Sequence, residues 1–308
     1  MGVKDIIRSY MGKTINSLFA QLSEDFFEQI TEIRLRAGKP LIIVKDRKEY
    51  FLNENGAFVR AIDKSYVTNQ LDIQDSLALM SDFSLYAFEE ELRCGYITLP
   101  GGHRVGVTGR AFMEGGQVRG LKNISGFNIR ISHEIKGCAD AVILKLTLPR
   151  LYDTMIISPP GCGKTTLLRD VIRQLSDGMP GRFPGVTVGV ADERSEIAGC
   201  YRGMPQNDVG VRTDILDGCP KAAGMAMLLR AMSPRVIAVD ELGGKQDAAA
   251  VEEIVNAGVC LICAIHGADI VDIRKKSALS DILYIFKRFV VLSGPGKIKV
   301  FDEGGNLI

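Results

Sequence analysis

Residues 158–165 read Ser-Pro-Pro-Gly-Cys-Gly-Lys-Thr, between an apolar triplet, Met155–Ile157, and a helix-like stretch that starts at Thr166. The order of strand, glycine-containing loop and helix is typical of a loop that binds phosphate. In the pattern G-x-x-x-x-G-K-[ST], backbone N–H groups surround the phosphates at the positive end of the following helix. The stretch therefore predicts an α/β fold organised around a nucleotide-binding loop.

The loop offers specific groups to ATP and Mg²⁺. Gly161 and Gly163 permit a tight backbone, and Lys164 would bridge the β- and γ-phosphates. The Thr165 hydroxyl would be one Mg²⁺ ligand, and Thr166 would face the α-phosphate or cap the turn. The residues predicted to contact the nucleotide are Ser158, Pro159, Pro160, Gly161, Cys162, Gly163, Lys164, Thr165 and Thr166.

One position departs from the pattern. Ser158 stands where the first glycine is expected, and its small side chain makes the exchange tolerable. The alternative interpretation is a plain glycine turn between a strand and a helix, with a lysine there by chance. The sequence context of strand and helix favours the phosphate-binding loop.

Composition limits the function classes. The chain has 308 residues and is 46% hydrophobic, which is enough for two domains with ordinary cores. Lys and Arg total 38 against 37 Asp and Glu, a net charge of +1. Because nucleic-acid binding normally needs a basic surface, a partner of that kind is not expected.

The sequence carries no targeting or membrane signal that we recognise. Residues 1–20 mix charged and apolar positions, without the apolar core of a secretion signal. No apolar run approaches the length of about 18 residues that a membrane-spanning helix needs. A soluble, cytoplasmic protein is therefore expected.

The seven cysteines are scattered, which suits thiols in a reducing compartment. Cys260 and Cys263 form a C-x-x-C spacing inside the apolar run Val259–Ile265, which predicts a buried strand. Residues three apart on a strand point to opposite faces of the sheet. This spacing therefore favours a structural role over a redox or metal-binding one.

The hydrophobic pattern predicts two domains, residues 1–140 and residues 141–308. The first has helix-like and strand-like stretches, including a hairpin from Gly95–Leu99 and Gly102–Arg110 and a strand at Phe127–Ser132, and predicts a small α+β domain. The second alternates strands and helices, which predicts a mainly parallel sheet wrapped by helices. Its predicted elements are Met155–Ile157, Thr166–Leu175, Val186–Val190, Lys221–Met232, Val236–Val239, Ala248–Asn256 and Val259–Ile265.

Further chemical groups follow the predicted strands of the second domain. Asp240 and Glu241 come directly after Val236–Val239, where ligands collect at the carboxyl edge of an α/β sheet. Asp240 would hold Mg²⁺, and Glu241 would polarise the attacking water. The alternative is a solvated acidic pair that starts a loop.

Two other segments are predicted to reach the same edge. His266 follows Cys260–Ile265 and could contact the γ-phosphate, although a histidine that ends a strand is more often structural. The charged cluster Asp192–Glu196 follows Val186–Val190 and could equally be a salt-bridged loop.

An arginine reaching in from a neighbouring subunit or domain can stabilise the charge on the transferring phosphoryl group. The candidates in the two halves are Arg104, Arg110, Arg130, Arg212 and Arg230. Any one of them alone could also be a surface ion-pair residue.

Six segments together resemble the stage III sporulation protein AA family. They are Glu32–Leu41, the phosphate loop, Asp192–Ile197, Arg212–Gly218, Val239–Gly243 and Ala264–Gly267. That family is in turn similar to the motor ATPases of type II and type IV secretion and of pilus assembly. The resemblance implies a RecA-like P-loop ATPase domain preceded by a smaller α+β N-terminal domain, and assembly as a ring, which among those motors is commonly a hexamer.

The resemblance also implies roles for individual residues. Asp192 and Glu193 would fill the acidic role of these motors and His266 the histidine role, while Arg104 and Arg110 would supply the arginines. Many secretion motors have Gly-Glu where this chain has Asp240 and Glu241. The role of Glu241 therefore rests on its local chemistry more than on the remoter kinship.

The expected function is a Mg²⁺-dependent ATPase in the mother cell. It would energise assembly of, or transport through, a membrane channel between mother cell and forespore, recruited there by membrane-embedded sporulation proteins. One alternative is a scaffold in which ATP fixes an assembly state without turnover. A second is a RecA-like nucleic-acid motor, which the neutral net charge disfavours.

Overall fold

The computed structural model describes residues 2–82, 92–93, 95–243, 245–275, 281–294 and 296–308. The chain forms two compact units, Met1–His133 and Glu134–Ile308, whereas the sequence interpretation placed the division after residue 140. The segment after His133 is bonded to the second unit. The Glu134 carboxylate accepts the Asp208 N–H at 2.6 Å, and the Ala139 N–H donates to the Asp170 carboxylate at 2.8 Å.

The first unit is an antiparallel sheet with several helices. Its sheet order is β5-β4-β3-β1-β9-β8-β7, and a two-stranded pair, β2 with β6, lies beside it. The strands are β1 Ile30–Arg36, β2 Lys39–Pro40, β3 Ile42–Lys45, β4 Lys48–Leu52, β5 Phe58–Val59, β6 Val67–Thr68, β7 Tyr96–Leu99, β8 His103–Glu114 and β9 Gln117–Arg130. The helices are Val3–Ser9, Lys13–Ala20, Glu24–Phe27, the short 3₁₀ turn Ile62–Lys64, and Gln70–Met80.

The predicted hairpin between β7 and β8 is confirmed, with Tyr96 opposite Gly106. The strand predicted at Phe127–Ser132 is longer than expected, because β8 and β9 form a second hairpin that continues to Glu114 and Gln117. The turn between them is Gly115-Gly116, and both residues have positive φ, at 58° and 78°. A two-residue turn of this kind matches the twist of paired strands.

One buried histidine makes the stability of the first unit dependent on pH. His103 is 1% exposed, and its Nδ1 accepts the Ser132 N–H at 3.1 Å. Burial, with a smaller contribution from His133, lowers the pKa of His103 to about 4. The unfolded chain, with a histidine pKa of about 6.5, therefore binds more protons between these two values.

We expect the free energy of unfolding of the first unit to fall as the pH is lowered from about 6.5 to about 4, by up to about 3 kcal/mol from this group. The variant His103→Asn retains an acceptor near Nδ1 but does not titrate. Denaturant unfolding at a series of pH values should give a shallower acid slope for the variant. Parallel slopes for the two proteins would contradict the assignment.

The second unit contains the remaining elements. Its strands are β10 Thr154–Ser158, β11 Gly178–Met179, β12 Phe183–Pro184, β13 Val188–Asp192, β14 Thr213–Asp217, β15 Val236–Val239, β16 Cys260–His266, β17 Arg288–Gly294 and β18 Lys297–Asp302. Its helices are Ile143–Thr147, Lys164–Asp177, Lys221–Met232, Lys245–Asn256, Ile270–Arg274 and the 3₁₀ turn Leu283–Ile285.

The large sheet of this unit has the order β14-β13-β15-β16-β10-β17-β18. Neighbouring strands run parallel from β14 to β17, and β18 is antiparallel to β17. The predicted helices and strands of this half are present with end points shifted by a few residues. Three strands of this large sheet, β14, β17 and β18, had not been predicted, and neither had the short pair β11 and β12.

Helices cover both faces of this sheet, and alternate strand residues enter two separate cores. Ile156 packs with the helix Lys164–Asp177, whereas Met155 and Ile157 pack on the other face with the helices Lys221–Met232 and Lys245–Asn256. Burial on both faces explains why the strands read as continuous apolar runs. Within the described residues, no helix combines the length and apolar character needed to span a membrane.

Candidate nucleotide-binding site

The candidate site lies at the carboxyl edge of the parallel strands. Ser158 at the end of β10 is paired with His266 at the end of β16, and Val239 at the end of β15 is paired with Cys263. Parallel strands bring their carboxyl ends to one edge of a sheet, where ligands of α/β proteins bind. The phosphate loop, Asp240, Glu241 and His266 therefore all start from the same edge.

The loop between β10 and the helix Lys164–Asp177 requires two glycines. Gly161 has φ of +74° and Gly163 has φ of +92°, a region that side-chain-bearing residues rarely adopt. Gly163 directly precedes the helix, so its first N–H groups face the loop. The helix is held in place by its apolar side, which includes Leu167, Leu168 and Val171.

Ser158 fits its position because it is still part of the strand. It is fully buried, its carbonyl accepts the Gly267 N–H at 3.1 Å, and its hydroxyl donates to the Pro159 carbonyl at 2.6 Å. Its φ is not positive, unlike those of Gly161 and Gly163. The departure from the glycine pattern therefore needs no unusual backbone conformation.

The Asp240 carboxylate contacts the side chains of Lys164 and Thr165 at the end of the phosphate loop. Lys164 Nζ donates to Asp240 Oδ1 at 2.8 Å, and the Thr165 hydroxyl lies 3.5 Å from Asp240 Oδ2. The Lys164 side chain is only 7% exposed and that of Asp240 is 18% exposed, so the pair is largely shielded from water. A hydroxyl and a carboxylate at this spacing are hard oxygen donors of the kind that Mg²⁺ prefers.

Glu241 has a strained backbone and faces His266. Its φ is +37°, and its N–H donates to Asp240 Oδ1 at 3.0 Å. Glu241 Oε2 is 3.8 Å from His266 Nε2, and both side chains are about two-fifths exposed, at 42% and 40%. Residues in sparsely populated backbone regions are concentrated at functional sites.

Asp192 ends β13, and its carboxylate organises the loop that follows the strand. It is 1% exposed and accepts the backbone N–H groups of Glu196, Ile197 and Ala198 at 2.9, 3.0 and 2.8 Å. Burial raises the pKa of Asp192 to about 6, although the three hydrogen bonds oppose this rise. The Asp192 carboxylate is therefore bonded to its own loop, and Asp192 and Glu193 both line the pocket beside Asp240.

Glu193 forms an ion pair with Lys221, at 2.6 Å between Oε2 and Nζ. Both residues line a small pocket together with Asp240 and Glu241. Lys221 is the first residue of the helix Lys221–Met232. The structure thus brings Glu193 to the same pocket as the two carboxylates after β15.

Two groups near the site were not recognised from the sequence. Lys221 is about 28 residues after Glu193 in the sequence and contacts it in the pocket. Arg169 lies on the helix that follows the phosphate loop. Arg169 is 9% exposed and donates to the carbonyls of Glu196 and Ile197. Only the basic residue types themselves could have drawn attention to them in the sequence.

The candidate arginines Arg104 and Arg110 lie on β8 in the first unit. The Arg104 guanidinium stacks on the ring of Tyr96, 3.6 Å from its centroid, and Arg110 is exposed opposite Lys122. In the second unit, Arg212 donates to the Ser176 carbonyl at 2.7 Å and so secures the end of the phosphate-loop helix.

The C-x-x-C spacing of Cys260 and Cys263 has a structural role. Cys260 contributes to the core on one face of the sheet and Cys263 to the core on the other, as expected for residues three apart. Burial raises the pKa of both thiols. Within the described ranges, no three His, Cys, Asp or Glu side chains form a cluster that could hold a metal ion by themselves.

Solved structures of motor ATPases share this fold. The ATPase DotB of Yersinia pseudotuberculosis aligns with a TM-score of 0.55 and 15% identity, covering 92% of this chain and 75% of that one. The pilus retraction motor PilT, crystallised with ADP, aligns with a TM-score of 0.55 and 14% identity, covering 97% of this chain and 82% of that one. At such low identity, the likeness concerns the fold alone.

Sequence comparison gives a much closer relationship. The family described as sporulation stage III, protein AA matches residues 2–308. Stage III sporulation protein AA of Bacillus subtilis (strain 168) is 39% identical over 308 residues, covering 98% of this chain and 96% of that protein. The resemblance seen in the six motif segments is confirmed, and the chain belongs to the sporulation stage III, protein AA family.

Proposed function

We propose that this protein is a Mg²⁺-dependent ATPase with a RecA-like catalytic domain. The observation that carries the proposal is the contact of Lys164 and Thr165 with Asp240, next to a glycine loop at the carboxyl edge of the sheet. Fold likeness to motor ATPases supports the same reaction class. ATP would bind through residues 158–166, with its phosphates against the loop backbone.

Lys164 would place its charge on the β- and γ-phosphates, and Thr165 and Asp240 would hold Mg²⁺ together with phosphate oxygens and water. The ion would neutralise charge that develops on the phosphate oxygens. Glu241 would orient and polarise the attacking water, because it follows Asp240 directly at the carboxyl edge of the sheet. Glu193 and His266 would complete the polar wall around the γ-phosphate.

The first unit would supply arginines to a neighbouring subunit. Arg104 and Arg110 are the proposed residues, and they would stabilise the transferring phosphoryl group in trans. This arrangement requires a homo-oligomer, for which we propose a hexameric ring. Turnover would then depend on assembly.

In the cell, we place this motor in the mother-cell cytoplasm, bound peripherally to a membrane complex. Its proposed partners are membrane-embedded sporulation channel proteins that link mother cell and forespore. Membership of a sporulation family supports this setting. ATP hydrolysis would energise channel assembly or transport, and no nucleic acid would take part.

Phosphate release from ATP tests the enzymatic part of the proposal. We expect turnover with Mg²⁺ and its loss when EDTA removes the ion, because Thr165 and Asp240 would no longer share a cation with the phosphates. DNA and RNA at low salt should leave the rate unchanged. Ring formation with ATP but no phosphate release would instead favour a scaffold, and stimulation by nucleic acid would favour a nucleic-acid motor.

A further inference from the structure

In the loop that carries Glu193, side chains form hydrogen bonds both with backbone N–H groups and with backbone carbonyls. Asp192 accepts three of its N–H groups, those of Glu196, Ile197 and Ala198. Arg169 donates to two of its carbonyls, with Nε 2.6 Å from Ile197 O and Nη2 2.8 Å from Glu196 O. The peptide groups of this segment are therefore fixed by two buried, oppositely charged side chains.

These two side chains come from different elements. Asp192 is the last residue of β13, so its bonds tie the loop to the strand that the loop follows. Arg169 is on the helix Lys164–Asp177, about one and a half turns after Lys164, so its bonds tie the loop to the phosphate-binding element. A third donor, the Asn207 side-chain amide, reaches Ile197 O at 3.1 Å.

Arg169 is well suited to this task. Its planar guanidinium can donate to two carbonyls at once, whereas the compact ammonium of lysine cannot reproduce that fork. The side chain is 9% exposed, so its hydrogen bonds do not compete with bulk water. Its nearest neighbour of the same kind on this helix, Arg173, instead pairs with the carboxylates of Asp170 and Asp177.

We propose that Arg169 is a positioning residue, which fastens the loop 192–198 to the phosphate-loop helix and so sets where Glu193 lies relative to Lys164. The link makes the loop follow any displacement of the helix when phosphate binds. Arg169 itself contacts loop carbonyls and acts on the reaction only through the loop. The consequence for turnover rests on the proposed ATPase function, whereas the mechanical link does not.

Amide hydrogen exchange tests the link without requiring activity. In Arg169→Met, exchange at the N–H groups of Glu196, Ile197 and Ala198 should accelerate by about tenfold or more, because the loop opens more often. Arg173→Met is the matched control from the same helix and should leave these three amides unchanged. Unchanged exchange in Arg169→Met would overturn the proposal, as would equal acceleration in both variants.

Turnover tests the consequence for Glu193. Arg169→Met should lower the rate of ATP turnover by about tenfold or more. ATP affinity should stay within about threefold of the wild-type value, since the contacts between the phosphate loop, residues 158–166, and the phosphates remain. Combining it with Glu193→Gln should add little to the larger single effect, because both act through one group. A double variant whose rate is reduced by the product of the two single reductions would overturn the proposal.

Two further comparisons separate failure of this proposal from misfolding of the variant and from failure of the proposed ATPase function. Arg169→Lys retains the charge and should show an intermediate effect on exchange, which covers the case in which Arg169→Met does not fold. If the wild-type protein binds ATP without hydrolysing it, the proposed enzymatic function fails. The exchange comparison of Arg169→Lys with wild type still decides whether Arg169 fastens the loop.

Discussion

Replacing Glu241 with glutamine is expected to stop ATP turnover while ATP binding persists. Glutamine has nearly the same shape but cannot accept a proton or polarise water as a carboxylate does, so the rate should fall by about 10²- to 10⁴-fold. Binding should persist because the side chain contacts neither Lys164 nor Thr165 among the described hydrogen bonds. The measurement is phosphate release beside equilibrium binding of ATP.

A matched control is Glu252→Gln. Glu252 is exposed on the helix Lys245–Asn256, so this exchange makes the same chemical change away from the strand edge. It should retain wild-type turnover. Wild-type turnover in Glu241→Gln would remove that glutamate from the mechanism and direct attention to Glu193 as the water-orienting group.

Replacing Lys164 with alanine is expected to weaken ATP binding and to abolish hydrolysis. The Lys164 side chain is 7% exposed and lies at the start of the phosphate-loop helix, where its charge is poorly screened by water. Loss of a hydrogen bond to a charged group costs about 1.5–3 kcal/mol, which lowers ATP affinity by about 10- to 100-fold. Turnover should fall to background, since the same charge would stabilise the transferring phosphoryl group.

Lys164→Ala also leaves Asp240 without its ion-pair partner, so folding must be checked separately. Thermal unfolding of the variant should still be cooperative, with a modestly lower midpoint. Lys299→Ala, at an exposed position on β18, is the matched control and should bind and hydrolyse ATP normally. Retained turnover in a folded Lys164→Ala protein would contradict the assigned phosphate site.

Much of the second unit could be predicted because its elements are locally coded. Continuous apolar runs gave strands such as Val236–Val239 with the observed ends, and the loop pattern located the start of the phosphate-loop helix within two residues. Asp240 and His266 were predicted at the strand edge for the same reason. A parallel sheet collects the ends of its strands at one edge whatever their order.

One of the strands that were missed, β14, has a weaker local signal. Residues Thr213–Asp217 form the edge strand β14, and their side chains are only partly buried, so polar residues interrupt the apolar pattern. β17 and β18 follow the last predicted strand and form an antiparallel pair at the other side of the sheet. The pairing of β17 with β10 joins segments that are distant in sequence, which periodicity alone does not reveal.

The orientation of charged side chains could not be read from the sequence. Asp192 and Glu193 are adjacent, yet one carboxylate binds three backbone N–H groups and the other pairs with Lys221. Arg169 looks like an ordinary solvent-facing residue until the fold places the loop 192–198 against its helix. Such roles are set by tertiary contacts, because the residue type permits several of them.

The most direct test of the account is phosphate release from ATP with Mg²⁺, measured per subunit across a series of protein concentrations. Lys164→Ala at each concentration gives the background. We predict a rate that rises cooperatively with concentration and is absent from the variant, because arginines of one subunit would complete the site of the next. A rate that never exceeds the variant's background at any concentration, in protein that binds ATP, would contradict an ATPase whose site is completed by assembly.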